Sequence, residues 1–219
     1  MQRMFHAISP RYDFITRVFS YGMDPGWKRQ AIERAGLAPG ATVLDLACGT
    51  GDFSKLVSRR VPRARAVSAD LTFNMLRLSR RDGIERPVCA DAMRLPFPDA
   101  TFDAVFVGYG LRNFPDLAGA VAETRRVLKP GGRLVSLDFF LPENRLFRQL
   151  YLGYLYAQGF FWGLLLHGRP RTYTYIPDSL RSFTTMEGYR ALLARSGYAV
   201  RAARGFIGGG IGLHWAERV

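Results

Sequence analysis

Lysine is scarce in this sequence: of 31 basic residues among 219, only Lys28, Lys55 and Lys129 are lysines, and the other 28 are arginines. Cysteine is scarcer still. Cys48 and Cys89 are too few for a disulfide framework and lack metal-ligand spacing, which excludes a disulfide-stapled scaffold and points to a reducing, cytoplasmic setting with no metal site. The first 20 residues contain no continuous apolar stretch of the kind an export signal needs, because Arg3, Arg11, Asp13 and Arg17 interrupt them. Internal repeats and low-complexity tracts are absent. Acidic residues are outnumbered, 18 against 31, for a formal net charge of +13. With 48% hydrophobic and 22% charged residues, disorder is excluded as the main state, and the length suits one large domain over residues 1–219. A field of that sign favours polyanions, either nucleic acid or the anionic face of a membrane.

Long hydrophobic runs are also missing. The longest uncharged stretch, Gln149 to Gly168, has the length of a membrane span, but Gln149, Gln158, His167 and four glycines dilute it. An interfacial or buried helical segment is expected there.

What is present is an alternation of short Val-, Leu- and Ala-rich runs with helix-like stretches, the pattern of a parallel α/β sheet. Strands are expected at residues 41–47, 64–69, 87–90, 102–107, 133–139, 198–203 and 211–216, the last two closing the sheet as an antiparallel pair. Helices are expected at 52–60, at 72–81 with the Thr72 hydroxyl as cap, at 117–128 and at 186–196. Lys129-Pro130-Gly131-Gly132 should stop the third of these. Residues 1–38 and 140–185 fall outside this alternation and are candidates for a helical lid and a substrate-covering insertion.

The most informative segment is Asp45-Leu46-Ala47-Cys48-Gly49-Thr50-Gly51. A small-residue turn at the carboxyl end of a strand lets a ligand approach the backbone, and the next helix offers free N–H groups. A dinucleotide fingerprint would need a third glycine at position 54, which is Ser54. Asp45 instead suits a site that attracts a cationic amine and sulfonium, as in S-adenosylmethionine, although a bare structural turn would also explain the loop taken alone. Asp70, 25 residues on, ends the second strand, where a carboxylate can accept both hydroxyls of a ribose. Asp91-Ala92 ends the third, with an acceptor for an adenine amino group and room for the ring. Three successive strand ends carrying Asp45, Asp70 and Asp91 would line one crevice.

In order and spacing these segments resemble class I methyltransferases of Rossmann-like fold, with a seven-stranded, mostly parallel sheet and helices on both faces. More narrowly, the chain is similar to the ubiquinone and menaquinone biosynthesis C-methyltransferases. The similarity runs through Arg11-Tyr12-Asp13, Gly22 to Lys28, Val43 to Asp52, Leu95 to Asp99, Gly110-Leu111-Arg112-Asn113, Arg126 to Gly132, Tyr173 to Ser179 and Gly209 to His214. It implies S-adenosylmethionine as cofactor, held by Asp45, Gly49, Thr50, Gly51, Asp70, Leu71, Asp91, Ala92 and Gly108. The sequence departs from the family at Gly108, where a serine is usual, and at Thr16, where an asparagine is usual.

Methylating an aromatic carbon requires an electron-rich ring, which a hydroquinone becomes as its hydroxyl loses a proton. Arg112 and Asn113 could hold the phenolate oxygen by charge-assisted bonds, with Tyr12 and His214 as further candidates for the chemistry. The implied partner is a quinol with a prenyl tail, residing in the bilayer, so Tyr, Phe and Trp of residues 150–166 and the arginines suit peripheral contact with an anionic membrane surface. Arg59, Arg60, Arg63, Arg65, Arg77, Arg80, Arg81 and Arg86 form the densest basic stretch. Nucleic acid is not expected as a partner, because the segment after the fourth strand reads Gly110-Leu111-Arg112-Asn113-Phe114 and carries no Asn-Pro-Pro-Tyr type motif. Another amphiphile, such as a phospholipid amine or small phenol, is the alternative substrate, and a homodimer is left open.

Overall fold

The computed structural model describes residues 12–84 and 87–219, and of residues 12–15, 167 and 171 the backbone only. Strands β1 (Thr42–Leu46), β2 (Arg65–Asp70), β3 (Val88–Cys89), β4 (Phe102–Gly108), β5 (Leu128–Phe139), β6 (Tyr198–Phe206) and β7 (Ile211–Arg218) form one sheet in the order 3-2-1-4-5-7-6. All neighbours from β3 across to β5 pair parallel, and β7 pairs antiparallel with both β5 and β6. This matches the seven-stranded α/β sheet expected from the sequence.

Successive side chains of a strand point to opposite faces, and both faces here are covered. Along β4 the alternation sends Ala104 and Phe106 into one apolar core and Val105 and Val107 into the other. The first core receives Trp27, Ala31 and Ile32 from helix α2 (Asp24–Ala35), with α1 (Tyr12–Phe19) before it, and Phe53 and Val57 from α3 (Asp52–Arg60). Helix α4 (Phe73–Arg81) follows β2. The second core receives Ala120, Val121 and Val127 from α5 (Leu117–Val127). Helices α6 (Arg145–His167) and α7 (Tyr175–Arg181) join the first core, and α8 (Met186–Arg195) the second.

Among the differences from expectation, three have a local reason. Strand β5 starts at Leu128, because Leu128 pairs with Phe102 before residues 129–132 loop out and pairing resumes at Ala104 with Arg133. Strand β3 stops at Cys89, so Asp91 and Ala92 lie just past its end, where Asp91 bridges to Arg94. Thr72 stands at the N-cap of α4 without a side-chain cap bond, because its hydroxyl is engaged with the Asp70 carboxylate, whose Oδ1 also accepts Thr72 N–H at 2.7 Å.

Helix α6 covers the segment from which an interfacial or buried helix was expected. Tyr151 and Leu155 are buried on its inner side. Gly159 and Gly163 share that side because a Cβ there would meet the backbone at Tyr173 (2.9 Å) and at Arg169 and Pro170 (2.7 Å). Its outer side leaves Leu146, Leu150, Phe160, Phe161, Leu164 and Leu165 exposed. Among the described residues no helix is long and apolar enough to cross a membrane.

Candidate active site

A crevice opens at the carboxyl ends of β1, β2 and β4, where the strand order reverses direction from β1. Its walls bring together Gly49, Asp70, Leu71, Asp91, Ala92, Gly108 and Asn113 from the sequence-expected set, along with Ala47, Thr72, Met75, Tyr109 and Phe114. Two wall residues, Ala47 and Tyr109, hold positive φ of 53° and 58° although neither is glycine. Each ends a strand and turns the chain sharply away, a conformation that costs an L-residue on the order of 1 kcal/mol or more and tends to mark functional loops.

Asp70 is nine-tenths or more buried and shapes the turn around it. Its Oδ2 accepts Gly49 N–H at 2.9 Å and its Oδ1 accepts Thr72 N–H at 2.7 Å. Burial moves its carboxyl upward, against the pull of those two amides. A carboxylate oxygen has a second lone pair, so both remain able to accept ribose hydroxyls. Asp91 Oδ1 accepts Met93 N–H at 2.9 Å, fixing the turn that presents Ala92.

Asp45, Thr50, Gly51 and Arg112 do not line the crevice. Asp45 is 2% exposed and lies under the loop, its Oδ2 accepting both Ser54 N–H (2.8 Å) and the Ser54 hydroxyl (2.9 Å). Burial raises its carboxyl to about 7 despite those donors. Gly51 stands at the N-cap of α3 with φ 84°. Thr50 bonds to Asp52, which opens that helix.

Arg112 is buried behind the wall. Its Nη1 donates to Asp138 Oδ1 at 2.5 Å and to Tyr109 O at 3.0 Å, and its side chain bonds to that of Tyr175. Asp138 Oδ2 in turn accepts Leu111 N–H at 2.7 Å, so the guanidinium and carboxylate together fix the turn Tyr109–Asn113. The charge on Arg112 is thus neutralised by Asp138. Asn113 lines the crevice with its buried Oδ1 lacking a hydrogen-bond partner among the described residues.

His214 is fully buried on β7, edge-on to Phe140 and Tyr189, and burial lowers it to about 4. It is a neutral packed ring outside the crevice. The backbone of Tyr12 begins α1, and its side chain lies outside the described residues.

Sequence reasoning missed a group beside the loop. Lys28 Nζ lies 2.7 Å from Asp24 Oδ2 and 2.6 Å from Asp52 Oδ2, and the Tyr109 hydroxyl donates to Asp24 Oδ1 at 2.8 Å. Residues separated by up to 85 positions meet here, which no spacing rule reads. One signal existed: Lys28 is one of three lysines where arginine is the rule. A compact ammonium fits between two carboxylates without the planar fork that a guanidinium would have to accommodate.

The crevice fits S-adenosylmethionine by the chemistry of its donors. A recessed carboxylate faces where a ribose would sit, a second carboxylate precedes a small alanine, and Leu71, Met75, Met93 and Phe114 supply apolar faces for a purine.

Comparison with known proteins agrees with that fit. The model of the ubiE/COQ5 methyltransferase family matches residues 1–218. A demethylmenaquinone methyltransferase from Thermus thermophilus is 42% identical over 203 residues, covering 90% of this chain and 92% of the relative. A ubiquinone/menaquinone biosynthesis C-methyltransferase from Desulfotalea psychrophila is 38% identical, covering 100% and 90%. Among solved structures, a SAM-dependent methyltransferase from Aquifex aeolicus superposes with a TM-score of 0.62 at 20% identity, covering 88% of this chain and 89% of that one, a likeness of fold. With a family match of this extent over a sheet and crevice of this form, the chain belongs to the ubiE/COQ5 methyltransferase family and is an S-adenosylmethionine-dependent methyltransferase.

Proposed function

We propose that this enzyme methylates a ring carbon of a prenylated quinol, converting a demethylmenaquinol to a menaquinol or performing the matching methoxy-benzoquinol step. The observation that carries this reading is the near full-length similarity to relatives that bear those names. S-adenosylmethionine, when bound, supplies an electrophilic methyl on sulfur. The ring carbon gains that methyl as the S–CH3 bond breaks, the ring C–H proton leaves to solvent or a base, and S-adenosylhomocysteine remains.

The residues divide by position. Asp70 and Leu71 are assigned to the ribose side, and Asp91 and Ala92 to the adenine. Gly49, Thr50 and Gly51 form the loop for the amino-acid end, with Asp45 holding that loop through Ser54. Gly108 contributes backbone only. Asn113 is the group best placed to meet the quinol oxygen, because its amide lines the crevice with an unsatisfied Oδ1. Arg112 acts through the turn that carries Asn113, and Tyr12 is assigned to the substrate side. Residues 140–185 are assigned to cover that side; in support, the side chain of Tyr175 bonds to that of Arg112, and α7 packs beside Leu111–Asn113. Of the expected N-terminal lid, by contrast, α2 packs into the first core and residues 1–11 lie outside the described residues. A substrate with a long apolar tail further implies that the enzyme works on a membrane surface, consistent with the exposed apolar side of α6.

The test is incubation of the purified protein with labelled S-adenosylmethionine and, separately, reduced demethylmenaquinone, a short RNA and phosphatidylethanolamine. Label should enter the quinol alone. Label appearing in RNA or the lipid amine, with none in the quinol, overturns the reading.

A further inference from the structure

Two walls of the crevice are tied to each other from behind. On one side stands Gly49, in the turn that leads to Asp52 at the start of α3. On the other stands Tyr109, at the end of β4. Between them, under the crevice, α2 contributes Asp24 and Lys28, only 7% and 6% exposed. Lys28 bridges Asp24 (2.7 Å) and Asp52 (2.6 Å), while the Tyr109 hydroxyl donates to the second oxygen of Asp24 (2.8 Å). Four side chains from three separate elements therefore form one continuous path from the loop wall to the Tyr109 wall.

Burying the Lys28 ammonium and the Asp24 carboxylate is costly unless each is paired, and a hydrophobic pair of the same volume would serve the fold at least as well. Asp52, its side chain 38% exposed, completes the pairing from the start of α3. The trio therefore calls for a role beyond stability. Tyr109 adds a second sign, because it is a bulky residue held at φ 58°. Such strain persists only where the surroundings over-determine it. The contacts that hold it are Asp24 at the hydroxyl, Phe139 against the ring with centroids 5.4 Å apart, and Arg112 on its carbonyl.

We infer that Asp24 and Lys28 are positioning residues for methyl transfer, fixing the distance between the turn that holds the methyl donor and the Tyr109–Asn113 wall that faces the acceptor ring. The inference rests on the C-methylation reading above. Its physical basis is that in-line transfer needs donor and acceptor atoms about 3 to 3.5 Å apart, and a misplacement of about 1 Å can cost on the order of 100-fold in rate. Asp70 and Asp91 stand on the β2 and β3 side of β1, so the ribose and adenine lie there, and the methyl is directed toward the β4 side where Tyr109 and Asn113 are. A path joining the loop to the β4 wall spans the donor–acceptor gap, whereas Asp70 and Asp91 fix only the nucleoside end.

Tyr109→Phe and Lys28→Met test this, with Tyr109→Phe as the mild variant that removes one hydroxyl and keeps the ring. Three quantities are measured for each: the dissociation constant of S-adenosylmethionine by calorimetry, the carbon-13 resonance of its labelled methyl when bound, and the single-turnover rate with reduced demethylmenaquinone at saturating cofactor. For Tyr109→Phe, affinity and melting temperature should stay near wild type, within about threefold for the former, while the bound methyl resonance shifts and the transfer rate falls about tenfold. Lys28→Met should lose about 100-fold in rate, with a smaller loss in affinity. A Tyr109→Phe enzyme with wild-type rate and unshifted resonance overturns the inference, as does a rate loss in either variant that tracks its cofactor affinity one for one. Failure of the wild-type protein to methylate the quinol would instead overturn the proposed function, and the affinity and resonance readouts would still report on the wall geometry.

Discussion

At Gly108 the crevice wall lacks a side chain for a packing reason. A Cβ at Gly108 would stand 2.9 Å from Phe53 Cε2, closer than packed carbon atoms come. Phe53 is itself fixed, 2% exposed and stacked on Phe106 with centroids 5.0 Å apart. The phenyl ring of α3 therefore occupies the space of the side chain that β4 lacks, and the two positions are coupled. Gly108→Ser should destabilise the protein by about 1–3 kcal/mol through overpacking. Phe53→Leu alone should cost about 1 kcal/mol, and the double variant should recover most of the serine penalty, giving a coupling energy of about 1 kcal/mol or more. Urea unfolding of the four proteins reads the cycle, and additive single effects would show that the ring and the glycine are independent. The sequence drew attention to Gly108 but not to its packing, since nothing in the spacing places residue 53 against residue 108. Asp45 shows the same limit. Its place in the motif is readable, yet whether a strand-end carboxylate faces the crevice or turns under the loop to Ser54 depends on one rotamer.

Elements were more legible than contacts, because hydrophobic period and strand-end chemistry are local properties of a chain. The strand carrying Asp45 and the helix after Gly51 could be placed from a few residues each, whereas β3, with two residues, has too little length to show a period. Helix α6 is the element whose role the sequence suggested and the structure sharpens. Its inner side packs through Tyr151, Leu155 and two glycines, with Leu152, Tyr154, Trp162 and Leu166 partly buried beside them, yet a second set of large apolar residues is turned outward, where an ordinary surface helix is polar. Phe160, Phe161, Leu164 and Leu165 are each more than half exposed at its C-terminal end. Replacing Phe160, Phe161 and Leu164 by serine should leave the unfolding free energy within about 0.5 kcal/mol of wild type, as expected for exposed sites. Each side chain withdrawn from lipid should weaken binding by about 1 kcal/mol or more, so the three together by about 3 kcal/mol or more. Co-sedimentation with vesicles should therefore fall by at least 100-fold in partition coefficient, and methylation of a long-tailed quinol should fall with it while a short-tailed quinol is turned over as before. Unchanged sedimentation would remove α6 from the membrane reading. Conversion of a wild-type dimer to a monomer would reassign its outer side to a contact between copies of the chain.

At the scale of the whole molecule, the net charge of +13 bears on the proposed membrane approach rather than on the chemistry of the crevice. The crevice itself carries two carboxylates, Asp70 and Asp91, and Arg112 behind it is neutralised by Asp138, so the positive field originates elsewhere. Much of it lies around α3 and α4, where Arg59, Arg63, Arg65, Arg77, Arg80 and Arg81 are exposed; their neighbour Arg60 pairs with Glu33 at 3.1 Å. A surface of this kind attracts an anionic bilayer by about 1 kcal/mol for each arginine close to it, and the attraction decays over a Debye length of about 8–10 Å at physiological salt. Apolar insertion by α6 would lack this salt response, being insensitive to screening. The two contributions can therefore be separated. Binding to vesicles of phosphatidylglycerol should weaken at least tenfold between 50 mM and 500 mM salt, whereas the residual binding to neutral phosphatidylcholine vesicles should stay flat. Replacing Arg77, Arg80 and Arg81 by glutamine should remove much of the salt-dependent part and leave methylation of a short-tailed quinol intact, since none of the three lines the crevice. If binding to both vesicle types were equal and salt-independent, the arginines would have no part in membrane attachment, and α6 alone would have to account for it.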